Sequence, residues 1–217
     1  CNFFVIEMKP GIKKLEILIV LFTLSLSAGC QVKGFDKINW MREKIAPGLV
    51  WKSAHAILED TILQNINLLL INTKRRDISI CYNPHKNVRT SDMASEAGAI
   101  AAVNAGFFNI RDGGSVTYIK INGRVLDSDT AMKWKRAVNM NGSIVIDNKG
   151  KVHILKAMAN SWYDSRAEYP EALISGPLLL QGRQKVPLPP TSLAAARHPR
   201  SCIGTKSNRK VLILTLD

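Results

Sequence analysis

The sequence predicts an α+β domain whose mixed, mostly antiparallel sheet is built from successive hairpins with few helices. Short apolar runs recur from residue 48 onward, and Gly- or Asn-containing turn signals separate them. Only one stretch has a clear helical pattern. The 217 residues are 46% hydrophobic and 22% charged, which suits one globular domain with a hydrophobic core. The sequence has neither regular βαβ alternation nor a Gly-x-Gly-x-x-Gly motif, which argues against a dinucleotide-binding fold.

Three strands are predicted at the start of the domain. The first is GLVWKSAHAI, residues 48–57, and the third is DISICYN, residues 77–83. Between them INLLLINT, residues 66–73, is almost entirely apolar. A strand that is apolar on both faces is buried on both faces, so this strand is predicted to be central in its sheet.

One helix and one further strand follow. The helix is predicted to begin at Thr90, Ser91 or Asp92, which are good cap residues, and to end at Gly98. The strand AIAAVN, residues 99–104, consists mainly of small residues. It leads directly into the polar and aromatic segment NAGFFNIRDGGS.

The second half of the chain is predicted to form hairpins. Asn122-Gly123 is a strong two-residue turn signal, and Asp147 to Gly150 marks a longer turn. Further turns are expected at 175–177 and at Gln181-Gly182. The segment SCIGTKSNRKVLILTLD predicts a last pair of strands.

Residues 8–30 have the layout of a bacterial lipoprotein signal peptide. A basic start is followed by the apolar run 15–26, and small residues stand directly before Cys30. Cys30 is the predicted lipidation site, which implies a membrane-anchored protein of the bacterial cell envelope, periplasmic or at the cell surface. An ordinary transmembrane anchor is the alternative, but the apolar run is shorter than the roughly 20 residues that a span requires.

The ends of the chain suggest a fragment. The chain begins with Cys1 and ends at Asp217 within an apolar run, so Met8 is predicted as the natural start and the domain is expected to be incomplete at the C-terminus. The predicted organisation is a signal peptide over 8–30, a polar tether over 31–47 and the domain over 48–217.

The cysteines and histidines give no metal-site pattern. Cys81 and Cys202 could pair in an exported protein or remain free thiols, and no Cys-x-x-Cys pair is present. His55 and His153 are interpreted as strand residues, and His85 precedes turn residues. No cofactor is evident, although assistance by a divalent cation is left open.

The charge distribution favours an anionic partner. The formal net charge is +13, and residues 172–216 contain no acid. Phosphate, nucleic acid and acidic glycan all fit such a segment, and a solvated basic face is the alternative. The tryptophans are scattered and form no stacking platform, which argues against nucleic acid. The basic residues of this segment are Arg183, Lys185, Arg197, Arg200, Lys206, Arg209 and Lys210.

Two segments are candidates for chemistry. In 104–115, the amides of Asn104 and Asn109 suit sugar hydroxyls, Phe107 offers an apolar face, and Gly106 permits close backbone approach. The alternative is a structural loop with one buried Phe.

The other candidate segment is RHPRSCIG, residues 197–204. Its two arginines, Arg197 and Arg200, suit bidentate phosphate recognition, and His198 suits proton transfer near neutral pH. The alternative is a basic surface turn.

Four pieces, in order, resemble the phosphodiester glycosidase family. AVNAGFFN resembles an Asn-x-Gly-aromatic-Phe segment, and ALISGPLLLQGR resembles a Ser/Gly strand pair. RHPRSCIG resembles Arg-Thr-Ala-x-Gly, with Ser201-Cys202 in place of Thr-Ala, and VLILTLD resembles a strand that ends in Asp-Gly. The resemblance covers residues 101–217.

The resemblance implies hydrolysis of a sugar-1-phosphodiester, releasing the sugar, for example N-acetylglucosamine, from a phosphorylated carrier glycan. It implies that Arg200 holds the phosphate, that Asp217 is one acid/base carboxylate, and that His198 assists. The family continues past the Asp, so a second acid/base residue is expected beyond Asp217, and the chain as given is expected to lack part of the site. The alternative is a non-catalytic surface lipoprotein that binds an anionic glycan. The implied substrate-binding residues are Asn104, Gly106, Phe107, Asn109, Gly176 and Arg197.

Overall fold

The computed structural model describes residues 2–8, 38–58, 62–84, 88–128, 138–206 and 209–217. These ranges contain fifteen strands and three short helices. The helices are α1 Thr90–Glu96, α2 Asn160–Asp164 and α3 Ser192–Ala195. The strands are β1 Asn2–Met8, β2 Met41–Ala46, β3 Leu49–Leu58, β4 Ile62–Asn72, β5 Arg76–Tyr82, β6 Ala101–Ala105, β7 Ile119–Ile121, β8 Arg124–Asp127, β9 Gly142–Ile146, β10 Val152–Lys156, β11 Glu171–Ser175, β12 Leu180–Gln181, β13 Gln184–Lys185, β14 Arg200–Lys206 and β15 Lys210–Leu216.

The strands form four antiparallel sheets. Two sheets have five strands each, in the orders β14-β15-β4-β3-β2 and β10-β9-β11-β7-β8. A three-stranded sheet has the order β5-β1-β6, and β12 pairs with β13. The predicted α+β class with few helices is therefore confirmed. The strand β4 lies at the centre of its sheet, as its apolar run predicted.

One main core joins the three larger sheets. Leu49, Ile71 and Val211 lie side by side on one face of the β14-β15-β4-β3-β2 sheet and are almost completely buried. They pack in one cluster with Ile144 of β9 and Ile78 of β5. Below we call the face that carries Leu49, Ile71 and Val211 the inner face of this sheet.

The hairpin turns predicted at Asn122-Gly123, at Asp147 to Gly150 and at Gln181-Gly182 are confirmed. The segment 175–177 is not a hairpin turn, because it joins β11 to β12, which pair with other strands. Asn122 and Gly123 both have positive φ, 50° and 76°, which matches the backbone twist of the flanking strands β7 and β8. In the turn between β9 and β10, Asp147 Oδ1 accepts hydrogen bonds from the backbone N–H groups of Lys149 and Lys151, at 2.9 and 3.0 Å. This side chain fixes the turn locally, as an Asx turn does.

Two strands lie where no strand was predicted. Residues Met41–Ala46, within the predicted tether, form the edge strand β2, which pairs with β3. β1 lies between β5 and β6, where Val5 and Ile6 are fully buried. The facing edges of β5 and β6 carry backbone N–H and C=O groups that need hydrogen-bond partners. An apolar strand between them supplies those partners on both sides, which explains why β1 is placed there. β1 lies almost wholly upstream of Met8, and the natural start at Met8 stays a prediction.

Residues 9–37, which include Cys30 and most of the predicted signal peptide, lie outside the described residues. His85 also lies outside them. Among the described residues no helix is long and apolar enough to cross a membrane.

Cys81 and Cys202 are both free thiols, which resolves the open alternative between pairing and free thiols. The predicted N-cap of α1 is wrong, because the N-cap residue is Arg89, which makes no side-chain capping bond. The predicted end at Gly98 is confirmed, since Gly98 follows the C-cap residue Ala97 with φ +60°.

Candidate active site

The inner face of the β14-β15-β4-β3-β2 sheet changes from apolar to polar along its strands. Side chains two residues apart share a face, and directly paired residues of neighbouring strands lie side by side. Beyond the buried row of Leu69 and Ile213, these rules give two polar rows. The first row is Ser53, Asn67, Thr215 and Ser201, and the second row is His55, Asn65 and Asp217. We call these seven residues the polar face.

A hydrogen bond marks the border between the core and the polar face. Trp51 Nε1 donates to Asn67 Oδ1 at 3.1 Å, and both residues are half-buried. The indole covers the last apolar row while its N–H is satisfied by the first polar row. The inner face therefore becomes accessible to solvent at this point.

The two candidate segments of the sequence meet at the polar face. Ser201 Oγ donates a hydrogen bond to Asn104 Oδ1 at 2.8 Å, across 97 residues of sequence, and both residues are exposed. Asn104 lies near the end of β6 and Ser201 lies near the start of β14. Asn104 was predicted from the sequence as a site residue, whereas Ser201 was noted only as a departure from a family motif.

Asp217 lies in a row with two residues that sequence analysis did not connect to it. Its backbone N–H and C=O are bonded to the C=O and N–H of Asn65, at 3.0 and 2.9 Å. Asn65 Oδ1 in turn lies 2.6 Å from His55 Nδ1. All three residues are exposed, so their side chains are accessible to a ligand.

The loop after Asn104 uses its polar and aromatic residues internally. Asn109 Oδ1 accepts from the backbone N–H groups of Arg111 and Asp112, and Asn109 Nδ2 donates to Asp112 Oδ2 at 2.9 Å. Gly106 has φ +70°, which glycine adopts without strain. Phe107 packs against the second buried cluster, which contains Tyr118 and Tyr163. These contacts match the alternative of a structural loop with one buried Phe, and the substrate roles of Asn109 and Phe107 stay predictions.

Gly176 is required by packing. It precedes Pro177 through a cis peptide bond, and a Cβ at this position would lie 2.1 Å from the backbone oxygen of Asn139. The neighbouring Asn141 Oδ1 accepts a hydrogen bond from Leu178 N at 2.7 Å. This gives Gly176 a structural function, and its predicted contact with substrate stays a prediction.

Arg200 is held by the segment that precedes it. One terminal nitrogen of its guanidinium donates to the carbonyl oxygens of Leu193 and Ala196, at 2.5 and 2.7 Å, at the end of α3. Strand alternation places Arg200 on the sheet face opposite to Ser201. Arg197 and His198 are exposed in the segment between α3 and β14. The structure therefore brings Asn104 and Asp217 to the polar face. Arg197 and His198 lie in the segment that leads into β14, and Arg200 lies on the opposite face of the sheet.

The basic segment of the sequence is divided between two ends of the sheet. Arg197, His198 and Arg200 lie where β14 begins, whereas Lys206 and Lys210 lie at its other end. The latter pair line a groove of about 400 Å³ together with Lys151, His153 and Arg209, among others. The positive charge is thus spread along the β14–β15 hairpin and is not concentrated at the polar face.

One buried carboxylate lies away from the polar face. Glu171 Oε2 accepts a hydrogen bond from Ile80 N at 2.8 Å, between β11 and the edge of β5. Burial raises the pKa of Glu171 to about 7; the Ile80 N–H bond lowers this pKa and the charge of Glu7 raises it. Within the described ranges, no group of three or more His, Cys, Asp or Glu residues could hold a metal ion.

Comparison with known proteins supplies the family. No curated protein matches the chain. A family model described as phosphodiester glycosidase matches residues 97–217, more than half of the chain. The matched residues include Asn104, Ser201 and Asp217, all at the polar face. The chain belongs to the phosphodiester glycosidase family.

Proposed function

We propose that the protein hydrolyses a sugar-1-phosphodiester at the polar face and releases the sugar, for example N-acetylglucosamine, from a phosphate-bearing carrier glycan. The observation that carries this proposal is the Ser201–Asn104 hydrogen bond of 2.8 Å. It joins two segments of the family match beside the row that contains Asp217. Hydrolase chemistry of the glycosidase type follows from the family, and the substrate is our proposal.

The polar face has the groups that a sugar phosphodiester requires. Hydroxyls of Ser201 and Thr215 and the amide of Asn67 can exchange hydrogen bonds with sugar hydroxyls. Asp217 supplies an exposed carboxylate for acid/base work or for stabilising positive charge at the anomeric carbon. Because a phosphate monoester is a good leaving group, protonation of the departing oxygen is less demanding than in ordinary glycosidases.

The phosphate is proposed to lie toward the start of β14. Arg197 is exposed there, and its guanidinium suits a bidentate phosphate contact. Arg200 is proposed to contribute by exchanging its bonds to Leu193 and Ala196 for a phosphate oxygen, and His198 by donating a proton. Attachment to a bacterial envelope membrane through Cys30 remains part of the proposal.

The test is sugar release by the full-length protein from a panel of sugar-1-phosphodiesters. Asp217→Asn is expected to lower kcat/KM by at least about 100-fold, because one reacting carboxylate is lost. The matched control is Asp92→Asn, on the exposed surface of α1, which is expected to keep full activity.

Two results would contradict the proposal. Turnover that is unchanged in Asp217→Asn would remove Asp217 from the reaction. Binding of the same compounds without any turnover would favour a glycan-binding lipoprotein.

A further inference from the structure

His55 lies in the same row of the polar face as Asp217, two strands away. The row runs His55 on β3, Asn65 on β4 and Asp217, which directly follows β15. His55 and Asn65 precede the residues that the family model matches, 97–217. They are brought to the site by the long β3–β4 hairpin, which pairs ten residues of each strand.

The contact with Asn65 fixes which ring nitrogen of His55 carries the proton. An amide oxygen only accepts hydrogen bonds, so at 2.6 Å from Asn65 Oδ1 the His55 Nδ1 must be the donor. In the neutral ring Nε2 then has its lone pair available. Asn65 therefore holds the imidazole in the tautomer and orientation that a general base requires.

Asn65 lies between His55 and Asp217 in this row. Neighbouring strands lie about 4.8 Å apart, so the backbones of β3 and of the chain at Asp217 are separated by about 9.6 Å. All three side chains leave the same face of the sheet, so a ligand seated over Asn65 meets His55 on one side and Asp217 on the other.

The surroundings of His55 on this face carry no other charge on β3 or β4. Its neighbours along these two strands are Ser53, Ile57, Leu63 and Asn67. The charged residue in its row is Asp217, which directly follows β15 and is bonded through its backbone to Asn65.

We infer that His55 is the general base of the reaction and that Asn65 is its positioning residue. This inference rests on the proposed function. His55 Nε2 takes a proton from water as the water oxygen bonds to the anomeric carbon. The bond from that carbon to the bridging oxygen breaks, and its electron pair leaves with the phosphate monoester. The proton on Nε2 then passes to solvent, and Asp217 faces the positive charge that develops on the sugar.

The test compares three histidine variants of the full-length protein on the best sugar-1-phosphodiester of the panel. His55→Gln is expected to lower kcat/KM by about 100- to 10,000-fold, which is the range for loss of a general base. It is also expected to remove the acidic limb of the pH profile. His153→Gln is the matched control, since His153 is also a strand histidine with a side-chain partner, Asp147 at 3.0 Å. His198→Gln tests the other histidine proposed for the site.

Asn65→Asp separates positioning from a structural effect. A carboxylate at position 65 favours the protonated imidazole and raises the pKa of His55. Because the neutral form is the base, the acidic limb of kcat/KM is expected to move to higher pH. A change that only disturbed the fold would lower activity at every pH without moving the limb, and thermal unfolding of each variant monitors the fold.

Direct displacement by water also predicts inversion at the anomeric carbon, observable by proton NMR of the first product formed. Near-normal activity of His55→Gln, a limb that Asn65→Asp does not move, or retention of configuration would each overturn the role of His55 while leaving the proposed function in place. Absence of turnover by the unaltered protein on the whole panel would overturn the proposed function, and the role of His55 with it.

Discussion

Glu171 gives the fold a pH dependence that can be worked out from the structure. Its carboxylate is mostly buried, and burial raises its pKa from 4.5 to about 7, with the Ile80 N–H bond acting in the opposite direction. A carboxyl whose pKa is higher in the folded state than in the unfolded state binds its proton more tightly when folded. Stability is therefore highest when Glu171 is protonated, and it is lost as the pH rises from about 4.5 to about 7.

The magnitude follows from the same values. A pKa raised from 4.5 to about 7 corresponds to about 3 kcal/mol of lost stability at pH 8, as an order of magnitude. Glu171→Gln removes the charge and keeps an oxygen that can accept from Ile80 N–H. The variant is therefore expected to be more stable than the unaltered protein by about 2–3 kcal/mol at pH 8, with little difference at pH 4.5.

The assay is guanidinium unfolding of both proteins between pH 4.5 and 8. Glu168→Gln is the control, because Glu168 is exposed and its ion pair with Arg166, at 3.0 Å, is on the surface. This control is expected to leave the pH slope between 4.5 and 7 unchanged. Equal stability of Glu171→Gln and the unaltered protein at pH 8 would refute the reasoning, since it would mean that the buried carboxylate carries no penalty.

Two further predictions concern packing and the polar face. Gly176→Ala is expected to destabilise the protein by at least about 3 kcal/mol, because its Cβ would lie 2.1 Å from a backbone oxygen. Gly182→Ala, with φ +56° and open space around the Cβ, should cost only about 1 kcal/mol in thermal unfolding, and equal losses would contradict the steric argument. Ser201→Ala removes the bond to Asn104 and is expected to lower kcat/KM about fivefold, the equivalent of one neutral hydrogen bond. Ser165→Ala, which removes another exposed serine hydroxyl, should leave kcat/KM unchanged; an equal loss in both variants would show that the effect is not local.

Much of the fold could be predicted because its signals are local. The run at 66–73 gave the central strand β4, and Asn122-Gly123 gave the turn between β7 and β8. β1 and β2 were missed for a different reason. β1 precedes the predicted start at Met8 and was therefore not considered, and β2 is an exposed edge strand whose polar residues have no alternating pattern. β1 becomes a strand by pairing with the distant strands β5 and β6, and β2 becomes a strand by pairing with β3, the next strand along the chain.

The candidate site could be predicted only in part. Asn104 was found because it lies near the end of a predicted strand of small residues, and Asp217 was found through the resemblance to the family. His55 and Asn65 were not connected with Asp217, because their alignment depends on the register of β3, β4 and β15, which sequence alone does not fix. The local bonds of Asn109 could not be predicted for a similar reason, since they form only once the loop is folded, and its substrate role stays a prediction.

The central claim is that the polar face cleaves a sugar-1-phosphodiester at the anomeric carbon. The most direct measurement is hydrolysis by the full-length protein in oxygen-18 water, with free sugar and phosphate followed by mass spectrometry. The account predicts that the label enters the released sugar and that this release is lost in Asp217→Asn. Label in the phosphate would move the reaction to phosphorus and contradict the role of His55 and Asp217 at the anomeric carbon, and no turnover on any substrate would contradict the proposed activity itself.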